Sequence, residues 1–169
     1  MPRYSPQSPF ALVMLLALMT TFPLVGCSGA GVSRSQREAE NADFPSGYRK
    51  WKKINQAPIV RETERQARDI FANDVALRRE PGKDFPVGSI LVKEERILAQ
   101  DPAGQLVPRD VFRVSVMFKA RMGEGSRWAF KAFDPSTKKE MSLDRVDPEG
   151  CYFCHVDAKD KDYVFSDIR

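Results

Sequence analysis

The sequence predicts an α+β domain in which an antiparallel β-sheet is joined to one main amphipathic helix. Three observations lead to this class. Apolar residues recur at helical spacing through Arg61–Arg79, and the pattern turns to short extended runs after Pro86-Val87-Gly88. The gaps between those runs are too short for crossover helices, which leaves antiparallel pairing.

Within Arg61–Arg79, Ala67, Ile70, Phe71, Val75 and Leu77 gather on one side of a helical projection and charged residues fill most of the other. Pro81-Gly82 ends the segment. Four strands are expected next, over Ser89–Glu94, Arg96–Gln100, Val111–Lys119 and Arg127–Phe133. Asp101-Pro102-Ala103-Gly104 and Gly123-Glu124-Gly125-Ser126 supply turn signals among them.

A length of 169 residues suits one domain with a single core. The net charge is only +4, and Lys and Arg are interleaved with Asp and Glu instead of forming a stripe that could track phosphates. Nucleic acid is therefore not an expected partner.

Residues 1–26 read as a lipoprotein signal peptide. Arg3 gives a basic start, and Phe10–Leu24 is an apolar run too short for a comfortable membrane span. Leu24-Val25-Gly26-Cys27 resembles a bacterial lipobox, in which cleavage before the cysteine exposes Cys27 for lipidation. Two or more acyl chains bury enough methylene groups to hold a soluble domain at a membrane. An uncleaved anchor or a plain signal peptide is the alternative, and each of these readings exports the domain. Ser28 follows the cysteine, without the aspartate of an inner-membrane retention signal, so the expected address is the periplasmic face of the outer membrane. Residues 27–43 form the lipidated end and a polar tether, and residues 44–169 form the folded domain.

The scarce reactive residues are three cysteines and one histidine, and two of those cysteines adjoin the histidine in Cys151-Tyr152-Phe153-Cys154-His155. Two thiols three positions apart can each add to one vinyl group of a haem, and the adjacent imidazole then lies under the iron as a metal ligand. Structural zinc wants four N or S ligands, and only these three remain once Cys27 is set aside. A thioredoxin-like pair would need a βαβ setting, and a structural disulfide leaves His155 without a role. With no second histidine, the sixth iron position is open to a small ligand or is filled by a methionine, of which Met117, Met122 and Met141 lie upstream.

After the motif come Ala158-Lys159 and Asp162-Tyr163-Val164-Phe165, and before it Tyr48-Arg49-Lys50-Trp51, Gly88–Glu94 and Trp128-Ala129-Phe130. In this order, from about Tyr48 to Phe165, the chain resembles the cytochrome P-460 family, which includes the cytochromes c-prime-beta. The resemblance implies one covalently bound haem c, a proximal His155, an open distal side and a homodimer. Lys93 falls where the family's cytochromes P-460 proper carry a lysine cross-linked to the porphyrin. A strand lysine otherwise takes its ammonium to solvent, and both readings of Lys93 stand. Arg68 matches a pocket arginine of the family.

The resemblance implies two chemistries: hydroxylamine oxidation, and binding of nitric oxide or carbon monoxide in an apolar distal pocket. Members that oxidise hydroxylamine hold a carboxylate on the strand corresponding to Val111–Lys119. Here that strand has none, and Ser115 takes the place. A hydroxyl is a poor base without a partner, so the expectation is a site for nitric oxide or a similar small ligand. Phe112, Phe118, Phe130 and Phe133 are candidates for its apolar wall, but strand aromatics usually pack the core, and that is the expectation for most of them. A hydroxylamine-oxidising enzyme and an electron carrier with a redox partner protein are the alternatives.

Overall fold

A computed structural model describes residues 43–122, 125–142 and 148–168. The signal peptide, Cys27 and the tether up to residue 42 lie outside the described residues, as do Gly123 and Glu124 of the second turn signal.

Six strands form one antiparallel sheet: β1 (Lys52–Lys53), β2 (Ile59–Arg61), β3 (Gln66–Ala72), β4 (Ile90–Gln100), β5 (Leu106–Met122) and β6 (Gly125–Phe133). Their order is β1-β3-β4-β5-β6, with β2 also paired to β3. Among the described residues one short α-helix, α1 (Pro148–His155), follows and runs into a 3₁₀ segment over Val156–Lys161. The described residues are thus mostly antiparallel sheet with one short helix, consistent with the α+β class.

The helix is not where the periodicity put it. Arg61–Arg79 holds the end of β2, all of β3 and one 3₁₀ turn, Ala76–Arg78. Ala67, Ile70 and Phe71 satisfy a helical spacing, but β3 alternates: Ala67, Asp69 and Phe71 are buried on one face, and Arg68 and Ile70 are half-buried on the other. A strand covered on both faces carries apolar residues at both parities, and over seven residues this imitates a helical stripe. Pairing with β4 along all of β3 decides between the two. Asn73 then ends the strand, its Oδ1 accepting from Ala76 N–H at 2.9 Å and Ile90 N–H at 3.0 Å. Arg68 therefore stands on a strand, not a helix.

The two strands expected over Ser89–Glu94 and Arg96–Gln100 are one strand, β4. Register shifts at Glu95/Arg96 and Arg96/Leu98 mark a bulge where the pattern breaks. In the turn after β4, Asp101 Oδ1 accepts from Ala103 N–H at 2.9 Å and Gln105 N–H at 2.8 Å, and Gly104 takes φ +81°. Strand β5 starts well before Val111. Pro108 is tolerated there because β6 pairs with β5 only from Val114 onward.

The sheet has a core on each face. Tyr48, Phe71, Val92, Val114, Val116, Phe118 and Phe133 pack on one side, with edge-to-face rings at Phe44–Phe133 and Tyr48–Phe71, both 5.5 Å. Fully buried Glu94 points to this side, taking hydrogen bonds from the Tyr48 hydroxyl at 2.6 Å, Arg49 Nε at 2.5 Å and Arg96 Nη2 at 2.8 Å. On the other side Leu91, Met117, Trp128 and Phe130 pack with Phe85, Tyr163 and Val164, so the segment after α1 is the cover of that face.

Candidate functional site

Strand register builds the site on this second face. Arg68, Glu95 and Arg113 lie side by side across β3, β4 and β5; the neighbouring row is Ile70, Lys93, Ser115 and Ala132, and the next is Ala72, Leu91, Met117 and Phe130. A charged row thus grades through a polar one into an apolar one.

Glu95 is the hub. It is fully buried and accepts from Arg113 Nε at 2.6 Å, Arg113 Nη2 at 2.8 Å and the Ser115 hydroxyl at 2.7 Å, with Lys93 Nζ 3.2 Å away. Burial pushes its carboxyl up, but the Arg113 hydrogen bonds, the Lys93 charge and the Ser115 hydroxyl outweigh burial and hold it down at about 2. Arg113 is in turn held more firmly protonated, chiefly by its bonds to Glu95. Arg68 bonds Glu64 through Nη2, while its buried Nε has no hydrogen-bond partner.

Helix α1 brings the cysteines and the histidine to this face. Pro148 opens it, where a missing N–H costs nothing, and Glu149 lies in the first turn. Cys151 and Cys154 are one turn apart, the first half-buried and the second exposed. His155 Nδ1–H donates to the Tyr163 carbonyl at 2.6 Å, which fixes the tautomer and leaves Nε2 with its lone pair. The rings of Phe130 and Phe165 flank the imidazole at 5.1 and 5.2 Å. Burial lowers the His155 pKa, the Tyr163 bond opposes this, and the charge of Lys93 adds to the lowering. The Arg113 guanidinium likewise senses Cys151. The motif and the Glu95 cluster therefore share one face of the sheet.

Lys93, Ser115 and Arg68 all stand on this face. Of the four phenylalanines proposed for the wall, Phe130 lies here, Phe118 and Phe133 are buried in the opposite core, and Phe112 stacks under the Arg113 guanidinium at 5.6 Å. Glu95 and Arg113 were missed as site residues. The signal for Glu95 was present, since two positions along a strand from Lys93 is the same face. The Tyr163 carbonyl has no sequence signature.

An antiparallel sheet with a Cys-x-x-Cys-His helix packed at Phe130 suits a haem-binding cytochrome. A model of the cytochrome P460 family matches residues 45–166, and the chain belongs to that family. The family implies a haem cofactor. A search of curated proteins gave no match. The residues fit the group: two thiols one turn apart, an imidazole nitrogen with a bare lone pair, and a buried, unpartnered guanidinium nitrogen on the facing strand.

Proposed function

We propose that the domain carries one haem c, bonded through Cys151 and Cys154 with His155 as axial ligand, and that it binds nitric oxide or a similar small ligand instead of oxidising hydroxylamine. When bound, the haem supplies an iron with a position open to such a ligand. The protein's part is to hold that iron through His155 and to present a wall on which no group readily takes a proton.

The observation that carries this reading is the state of Glu95. Oxidising hydroxylamine releases protons, and a base serves best when its pKa lies near the working pH. Glu95 is the carboxylate beside Lys93 and Ser115, and it is held at about 2 by three donors. The Ser115 hydroxyl donates its hydrogen bond to Glu95, a carboxylate that does not take the proton, so Ser115 is not activated as a base. Glu94 does not substitute, since it is engaged on the opposite face. In this reading Lys93 stays in its ion pair with Glu95, without the porphyrin bond.

Holoprotein from a host that matures c-type cytochromes, titrated with nitric oxide and separately offered hydroxylamine with an electron acceptor, tests the proposal. Ready nitric oxide binding with little or no hydroxylamine turnover is expected. Rapid turnover would promote the enzyme, and a low-spin spectrum with a methionine ligand would promote the electron carrier.

The leader and lipobox support export and lipidation at Cys27, which would hang the domain from the outer membrane facing the periplasm; family membership supports a homodimer. Cys27→Ser should move the protein from the membrane fraction to the soluble one, or leave its precursor uncut. Wild-type protein that itself keeps its leader at the membrane would instead mean a simple anchor.

A further inference from the structure

We propose that the buried Lys119–Asp162 ion pair is a positioning device for His155: it pins the turn whose carbonyl orients the imidazole. The inference rests on the reading of His155 as the haem ligand.

The pair joins the sheet to the segment after α1. Lys119 Nζ lies 2.5 Å from Asp162 Oδ1, and the two side chains are 2% and 3% exposed. Asp162 Oδ2 accepts from the Phe85 N–H at 2.8 Å, and the Asp162 carbonyl accepts from the Trp128 indole at 2.8 Å. Lys119 also lies over the Trp128 ring at 5.3 Å. Every polar atom of Asp162's side chain and its carbonyl is thus tied to the body of the fold, from three separate positions. Two desolvated charges are a poor source of net stability compared with apolar residues of similar size, so the arrangement calls for another role.

The backbone supplies that role. Asp162 has φ +55° and Tyr163 φ +64°, two successive left-handed residues without a glycine. Asp tolerates this region, but Tyr rarely enters it. The 3₁₀ segment ends in this turn, with Tyr163 N–H donating to the Ala158 carbonyl at 2.8 Å. The turn carries the Tyr163 carbonyl back to His155 Nδ1. A left-handed tyrosine persists only where its surroundings over-determine it, and the Asp162 ties do so. The hydrogen bond from Nδ1–H raises the basicity of Nε2, the atom that meets the iron.

The test is the iron–histidine stretching band of the ferrous holoprotein by resonance Raman, with the reduction potential measured on the same samples. Lys119→Met keeps the buried stem and removes the charge that holds Asp162. It should shift the band to lower frequency and raise the potential; Lys119→Arg should restore both in part. Lys161→Met, which breaks an exposed pair with Asp167, should leave both unmoved. If Lys119→Met yields no holoprotein, Trp128→Phe keeps an aromatic ring in the core while removing the indole donor to the Asp162 carbonyl, and should shift the band the same way by less. A wild-type band that persists unchanged in Lys119→Met, or in Trp128→Phe where that variant stands in, overturns the positioning role. Absence of any iron–histidine band from wild-type protein overturns the His155 reading itself.

Discussion

Haem in the Cys151→Ala, Cys154→Ala double variant should come away in acid and organic solvent, while wild-type protein keeps it. The expected effect is complete, because a thioether is a covalent bond and what remains in the variant is coordination by His155 and packing against the sheet. Acid protonates the imidazole and solvent dissolves the packing, so neither retains the group. Haem that stayed as firmly bound in the double variant would rule out the thioethers, and adding Lys93→Ala to it would then show whether Lys93 is the tether.

Substituting Glu95 should have the largest effect on stability. Glu95→Gln leaves Arg113 and Lys93 facing each other across a fully buried, neutral amide. Breaking a buried ion pair by removing one partner costs about 3–5 kcal/mol. The pH dependence has a definite sign. The Glu95 carboxyl falls from 4.5 to about 2 on folding, so its contribution is fully present above pH 4.5 and is lost as pH falls toward 2. That contribution is on the order of 3 kcal/mol, at ~1.4 kcal/mol per pH unit. Denaturant titrations from pH 7 to pH 2 should show the wild type converging on the variant through this window. Curves that stay parallel throughout would mean that Glu95 is not held ionised by its neighbours.

The same cluster shows how far the residues alone could be read. Strands β5 and β6, and β4 as two pieces, were legible because turn signals bound them and β-branched or aromatic residues fill them; the register between β4 and β5 then sets Lys93 beside Ser115. What failed was the segment containing Arg68, where seven residues buried on both faces copied a helical stripe; only pairing with β4, a contact between distant parts of the chain, resolves it. The phenylalanines, most of which were expected to pack a core, could not be assigned to a face for a related reason. Phe118 and Phe130 stand on opposite faces, which depends on the register between β5 and β6 and not on either strand's composition.

The missing carboxylate is the most instructive case. It was sought on β5, where Ser115 stands, and the neighbouring strand supplies one at Glu95 that binds that very hydroxyl. Its presence does not restore a base, because Arg113 and Lys93 arrive with it. Residue type alone would have scored a carboxylate here; its partners decide what it can do. The turn at Asp162-Tyr163 makes the same point for the backbone, since the group that orients His155 is a carbonyl, which every residue has.

Most direct is a tryptic mass map of the holoprotein paired with its ferrous absorption spectrum. The haem should ride on the peptide that contains Cys151, Cys154 and His155, the peptide bearing Lys93 should be unmodified, and the spectrum should be that of an ordinary high-spin c-type haem. Haem found on Lys93 as well, with a Soret band displaced far to the red, would contradict the account and make this chain a cross-linked member of its family.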